Sequence, residues 1–230
     1  SVTACVMAST APAGADAATG ADLARRAGDR RVHSVCLLHI ANDLARAGKT
    51  DSALAVYAEA IAERRRTRER ARVAWVLHWR GLMLRGIGAY GDARRDLLEA
   101  VAEGEASQEL AATGFALGHL ADISLRVGDL SSGAQYANRA IGIFEQLGDD
   151  YGLTFGRLLE GDLALAAGNR DHARAAYEAA LVASRPGGFG LAIMSSHVRL
   201  AYVALAGGDW DLAERELGLA GAAARATGLT

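Results

Sequence analysis

The stretch Gly48–Ala60, GKTDSALAVYAEA, comes back as Gly168–Ala180, GNRDHARAAYEAA, with glycine, aspartate, alanine, tyrosine and alanine at the same offsets. The copies around it are looser but stay in phase. Glycines stand at Gly48, Gly88, Gly128, Gly168 and Gly208, each 40 residues after the last. Five residues after each glycine comes a small residue, Ala53, Ala93, Gly133, Ala173 or Ala213. Seven further on the register holds again at Ala60, Ala100, Ala140, Ala180 and Ala220, with Tyr57, Leu97, Ala137, Tyr177 and Leu217 between. A fixed period of this kind marks stacked repeats, in which each unit buries its apolar face only against its neighbours.

The residue types say what one unit is. Asp51, Gly91, Ser131, Asp171 and Asp211 follow the glycines by three and are residues that suit a helix N-cap. The glycine is therefore expected to end one helix in a left-handed conformation and the Asp or Ser to start the next. Val73–Ile87 and Leu117–Val127 upstream, and Ala53–Ile61 downstream, carry apolar residues at helical spacing. Alanine, roughly a fifth of the chain, favours helix and close crossings. No stretch shows sustained strand alternation. The fold expected is all-α, with a helix, a tight turn and a second helix per unit.

This pattern resembles the tetratricopeptide repeat (TPR). The small residue before the turn, the turn glycine, a large residue two on, then alanine, a bulky residue and alanine appear as Gly81, Gly88, Tyr90, Ala93, Leu97, Ala100, and again as Ala201, Gly208, Trp210, Ala213, Leu217, Ala220. The fourth copy reads Gly161, Gly168, Arg170, Ala173, Tyr177, Ala180 and the third Ala121, Gly128, Leu130, Gly133, Ala137, Ala140. The period of 40 departs from the family's usual 34 or so, so helices or inter-repeat turns must be longer. Arg157 and Glu160 replace apolar residues expected on a packed face, which points to disturbed packing in the fourth repeat. The resemblance implies a right-handed α-solenoid. One continuous domain is expected: a partial leading repeat over 1–29, then five repeats at about 30–69, 70–109, 110–149, 150–189 and 190–228. Ala13–Arg26 reads as the second helix of the leading repeat, with Thr10 and Pro12 at its start and Ser1–Ala8 as a remnant of its first helix. Neither end supplies a polar capping repeat. The chain is therefore expected to be a segment of a longer protein or to meet another surface at its ends, a second copy included.

Composition narrows the function classes. The 230 residues are 51% hydrophobic, enough for a core, and 25 basic against 27 acidic residues leave a net charge of −2 with no global pull toward nucleic acid or anionic membrane. Cys5 and Cys36 make no disulfide framework and fit no metal-ligand spacing. No run approaches 18 apolar residues and the start lacks a basic signal-peptide region, so a soluble, cytoplasmic protein is expected.

Several strings invite a sharper reading. Gly86–Gly91, GIGAYG, matches the dinucleotide fingerprint letter for letter, but that motif needs a strand before it, and here a helix precedes a periodic repeat glycine. Gly48, Lys49 and Thr50 end like a phosphate-binding loop, but Asp43 stands where its earlier glycine belongs. The run Glu63–Arg72 could hold phosphates. It crosses a repeat junction and contains two glutamates, so a solvated face with helix-end pairing is expected instead. Three-ligand clusters at metal spacing are absent, and no nucleophile pairs with a histidine, so no catalytic residue, metal or cofactor is assigned. Tail-binding members of the resembled family clamp a carboxylate with lysine, asparagine and arginine. Only Asn42 matches, and Leu38 stands where lysine is wanted.

The same resemblance would place three columns on an inner wall. The first is His39, Trp79, His119, Leu159 and Arg199; the second, three residues later, is Asn42, Leu82, Asp122, Asp162 and Tyr202; the third is Val35, Trp75, Phe115, Phe155 and Ser195. Aromatic side chains with a few convergent polar groups are how ligand sites are commonly lined. The candidate ligand-binding residues are accordingly His39, Asn42, Trp75, Trp79, Phe115, His119, Asp122, Phe155, Asp162, Arg199 and Tyr202. The alternative is that these large residues merely fill a tight superhelix. In period and in Ala, Arg and Gly richness the chain resembles the repeat domains of large ATP-binding LuxR-type and antibiotic-pathway bacterial regulators. That implies a non-catalytic recognition module for a protein, a peptide or a small-molecule effector, acting in transcription regulation. A plain interaction scaffold and an enzyme built on repeats are the other two readings.

Overall fold

The computed structural model describes residues 13–67 and 70–228. The expectations for Ser1–Ala8, Thr10 and Pro12, and Arg68 and Glu69 of the charge run, fall outside the described residues. Among the described residues there are eleven helices and no strand. They are α1 (Ala13–Arg26), α2 (Arg30–Arg46), α3 (Thr50–Arg66), α4 (Arg70–Gly86), α5 (Tyr90–Ser107), α6 (Leu110–Arg126), α7 (Leu130–Leu147), α8 (Asp150–Ala166), α9 (Arg170–Ser184), α10 (Gly190–Gly207) and α11 (Trp210–Ala226). From α2 onward they form five tandem pairs, the all-α helical-repeat solenoid fold of TPR-like proteins.

The turns follow the periodic glycines. All five have φ between 72° and 83°, where a Cβ would be strained, and the backbone closes each turn by bonds such as Gly168 N–H to Leu165 O at 3.0 Å and Asn169 N–H to Ala164 O at 2.9 Å. The N-caps lie two residues earlier than expected. Asp129, Asn169 and Asp209 are the caps, accepting from the amides of Ser132, His172 and Leu212 at 3.0–3.1 Å. Asp51, Asp171 and Asp211 fall instead in the first helical turn, where their charge complements the helix dipole. The string GIGAYG spans the end of α4, the turn and the start of α5, with Gly88 as the left-handed turn residue.

The chain divides between Thr113 and Gly114 into two compact units. In the first, α1 to α5 each pack on the next, and α2 also touches α4. Cys36, fully buried among Ala21, Val32, Val35 and Ile40, is disulfide-bonded rather than a free thiol, while Cys5 lies outside the described residues. In the second unit α7 to α11 pack in the same way and α8 touches α10. One apolar cluster there joins Ala173, Tyr177 and Leu181 of α9 to Leu200 and Val203 of α10, with Leu158 and Leu165 of α8 against it.

Three sequence expectations change in detail. Arg157 and Glu160 do not disturb the fourth repeat, because they satisfy one another. Arg157 donates to Glu145 and Glu160 at 2.8 and 2.9 Å, and the ring Nε2 of His172 lies 2.9 Å from Glu160, a chain that ties α7, α8 and α9. The charge run is paired as expected, through Arg65–Glu99 and Arg66–Glu63, but Arg64 is buried and donates to the Arg72 carbonyl at 3.0 Å. Finally, α10 reaches a mean hydropathy of 1.2, enough by length and composition to cross a membrane. It nevertheless carries His197 and Arg199, which bond to Glu216 of α11 and Asp162 of α8 and tie the helix to its neighbours.

Candidate functional site

The structure sorts the candidate residues by unit. In the first unit Asn42 of α2 and Trp79 of α4 line one cavity of about 410 Å³, together with Ala45, Arg46, Tyr57, Leu82, Met83, Gly86 and Ile87. Tyr57, rooted in the apolar column of α3 and buried, forms its floor and donates its hydroxyl to Asn42 Oδ1 at 2.5 Å. Burial raises the Tyr57 hydroxyl to a pKa of about 12, while the positive charge of Arg46 acts in the opposite direction. The Arg46 guanidinium therefore stands close enough to influence the floor. Arg46 also pairs with Asp43 one turn earlier, an exposed pair of the kind worth little.

Trp79 is 37% exposed on the cavity wall. Behind it the His78 ring is edge-on to both Trp75 and Trp79, at centroid distances of 5.6 and 5.3 Å. His78 is buried, and burial lowers its pKa to about 4, so it is neutral at pH 7. Trp75 is half-buried, and its indole N–H donates to Glu109 Oε1 at 3.3 Å. His39 is exposed on α2 and does not line the cavity.

In the second unit the candidates form two groups. Phe115 and Phe155 are half-buried with ring centroids 6.4 Å apart, and His119, buried, lies 5.1 Å from Phe155. Phe144 and the exposed Tyr151 extend this cluster, and Phe189 meets Tyr151 edge-on at 5.4 Å. Asp122 is buried and accepts from Arg126 at 2.9 Å. The other group is built on Asp162. It accepts from the Tyr177 hydroxyl at 2.8 Å and from Arg199 twice, at 2.8 and 3.1 Å, while Arg199 also donates to the Ser195 side chain. Burial and the adjacent Asp162 push the Tyr177 hydroxyl far above its ordinary range. Burial alone would lower the Arg199 pKa, but the Asp162 bonds and charge outweigh it, and the net shift is upward. Tyr202 is 60% exposed on α10.

Arg46, Tyr57, Tyr151, Tyr177 and Phe189 were not among the sequence candidates. The two buried tyrosines occupy a column that the repeat pattern reads as filler, and only the three-dimensional pairing shows that their hydroxyls reach column-two residues. A second recess of about 230 Å³ lies between α7, α8 and the start of α9, floored by Leu130, Ala137 and Leu163 and edged by Glu160 and His172. Among the described residues no three of His, Cys, Asp or Glu gather as a metal site.

A two-helix repeat with turn glycines, alanine crossings and side-chain pairs between successive first helices defines a TPR-like helical-repeat fold. Solved structures carry the same architecture. BtubC from P. vanneervenii superposes with a TM-score of 0.81 at 17% identity, over 93% of this chain and 90% of that one. A Rap protein in complex with Competence and Sporulation Factor gives 0.66 at 19% identity, over 93% and 59%. A signal transduction ATPase with a tetratricopeptide repeat sensor, PH0952 from Pyrococcus horikoshii, gives 0.67 at 14% identity, over 90% and 35%. At these identities the likeness is one of fold. No family model and no curated protein sequence matches the chain.

Proposed function

We propose that the chain is a non-catalytic recognition module that binds a protein or peptide segment or a small-molecule effector, and that it serves as the sensing or interaction part of a bacterial transcriptional regulator. The observation that carries this reading is the set of aromatic side chains left exposed on first helices of the repeats, Trp79, Tyr151 and Tyr202. Exposed aromatic anchors suit binding, because large rigid rings contribute contact area at small entropic cost. TPR-like repeats are typically interaction modules, and two of the proteins with this fold bear on the kind of ligand: the Rap protein was solved in complex with Competence and Sporulation Factor, and the ATPase carries its repeats as a sensor. In this reading the chain works in the cytoplasm, contacts neither nucleic acid nor membrane itself, and leaves its solenoid ends for a second copy or an adjoining domain.

The experiment replaces Tyr151 and Tyr202, one at a time, with photo-crosslinking benzoylphenylalanine in the producing cell and adds a native mass spectrum of the purified chain. One discrete adduct or one bound mass is the expected outcome. A protein adduct without any bound small molecule assigns the plain scaffold role. No adduct from either position together with a bare native mass contradicts the proposal.

A further inference from the structure

The same three columns are filled in one repeat and open in another. In the fourth repeat Asp162 accepts from Tyr177, and Arg199, from the first helix of the next repeat, closes the space with two further bonds to Asp162. The equivalent residues of the first repeat are Asn42, Tyr57 and Trp79. The tyrosine bond is repeated there, Tyr57 to Asn42 at 2.5 Å, but nothing takes the place of the arginine, and the cavity of about 410 Å³ lies at that position.

We infer that this cavity is a ligand site, and that its ligand is a small, flat, apolar molecule carrying one carboxylate. The assignment rests on the reading of the chain as a recognition module and gives that reading a chemical class. The walls supply the apolar part: Trp79, Leu82, Met83 and Ile87 face a volume within the usual range for small-molecule pockets. The polar groups fix the other end. Asn42 uses its side-chain oxygen on Tyr57, which leaves the amide NH₂ as its contribution to the wall, and Arg46 offers only donors and a full positive charge. Two donors select an acceptor, and the arginine selects a charged one. The Arg46 side chain is 74% exposed against 22% for Asp43, so solvent weakens the pair and an entering carboxylate competes for the guanidinium.

The test is a calorimetric titration of the purified chain with 2-naphthoate, and with its neutral amide as the comparison. Saturable 1:1 binding of the acid with a dissociation constant of about 1 mM or tighter is expected for a ligand of this size. Binding of the amide is expected to be about tenfold weaker. Trp79→Ala should weaken binding of the acid at least about tenfold, and Arg46→Gln, at an exposed position that leaves the fold intact, should abolish the preference for acid over amide. Asn42→Asp together with Trp79→Arg installs the fourth-repeat arrangement and should remove binding while helicity and melting temperature are kept. Absence of saturable binding to the native chain overturns the inference, as does binding unchanged by Trp79→Ala; equal affinity for acid and amide overturns the carboxylate. Crosslinking at Tyr151 and Tyr202 in the second unit leaves this cavity untouched, so the recognition reading stands or falls on its own measurement.

Discussion

The first and fourth repeats use one geometry for two ends. Each sets a buried tyrosine of its second helix under a polar residue of its first, Tyr57 under Asn42 and Tyr177 under Asp162. They part at the residue contributed by the next repeat. Where that residue is Arg199, the space is closed by an ion pair whose partners are 34% and 25% exposed; where it is Trp79, the space stays open to about 410 Å³. A carboxylate needs a cation to be held there, and a neutral amide does not. The change from Asp to Asn and the change from Arg to Trp therefore belong together: one removes the demand for a cation and the other supplies an apolar wall.

Several substitutions bear on this contrast. The largest effect is expected at the shared tyrosines, which are 1% and 0% exposed. Tyr57→Ala and Tyr177→Ala should each cost about 3–5 kcal/mol in denaturant unfolding, with Tyr177 the more costly because it also leaves a charged acceptor short of a donor. Leu217→Ala, in the same column, should cost less than about 1 kcal/mol, because Leu217 is 50% exposed. Equal losses at all three positions would show that column burial does not set stability here.

The open site also rests on a neutral histidine. His78 has a folded pKa near 4 against an ordinary 6.5, so between those values the unfolded chain binds the extra proton. Its contribution is complete above about pH 6.5 and is lost as pH falls toward 4, on the order of 3 kcal/mol in all. Urea titrations at pH 7 and pH 4.5, on the native chain and on His78→Leu, should show a pH loss that the substitution removes. A loss of the same size in both would place the sensitivity elsewhere.

At the closed site Arg199→Met should cost about 1–2 kcal/mol, since Asp162 keeps the Tyr177 bond but loses its two charged ones. Trp79→Met at the open site should cost less than about 1 kcal/mol, because the ring is already 37% exposed. Matching melting temperatures for the two variants would erase the distinction between a filled and an open repeat.

Much of the fold is legible in the sequence because one period carries it. Turn glycines and crossing alanines answer to local backbone geometry, so their spacing alone locates turns and helix pairs. The N-caps were displaced by two residues because Asp and Ser suit both the cap and the first turn, and only the carbonyl and amide positions separate the two. Of the candidate site, the columns were legible and the pairings were not. That Asn42 shares a cavity with Trp79, and that Asp162 meets Arg199, depends on side-chain reach across repeats, which a period does not encode. Arg157 and Glu160 show the same limit: each is a misfit on its own helix, and together with Glu145 and His172 they are a satisfied chain.

A crystal structure of the chain grown with 2-naphthoate is the decisive measurement. The ring system is expected between α2 and α4 against Trp79, with the carboxylate within hydrogen-bond distance of Arg46 and the Asn42 amide, and no ligand at Asp162 and Arg199. An empty first-unit cavity, or a ligand seated instead beside Asp162, would contradict that placement.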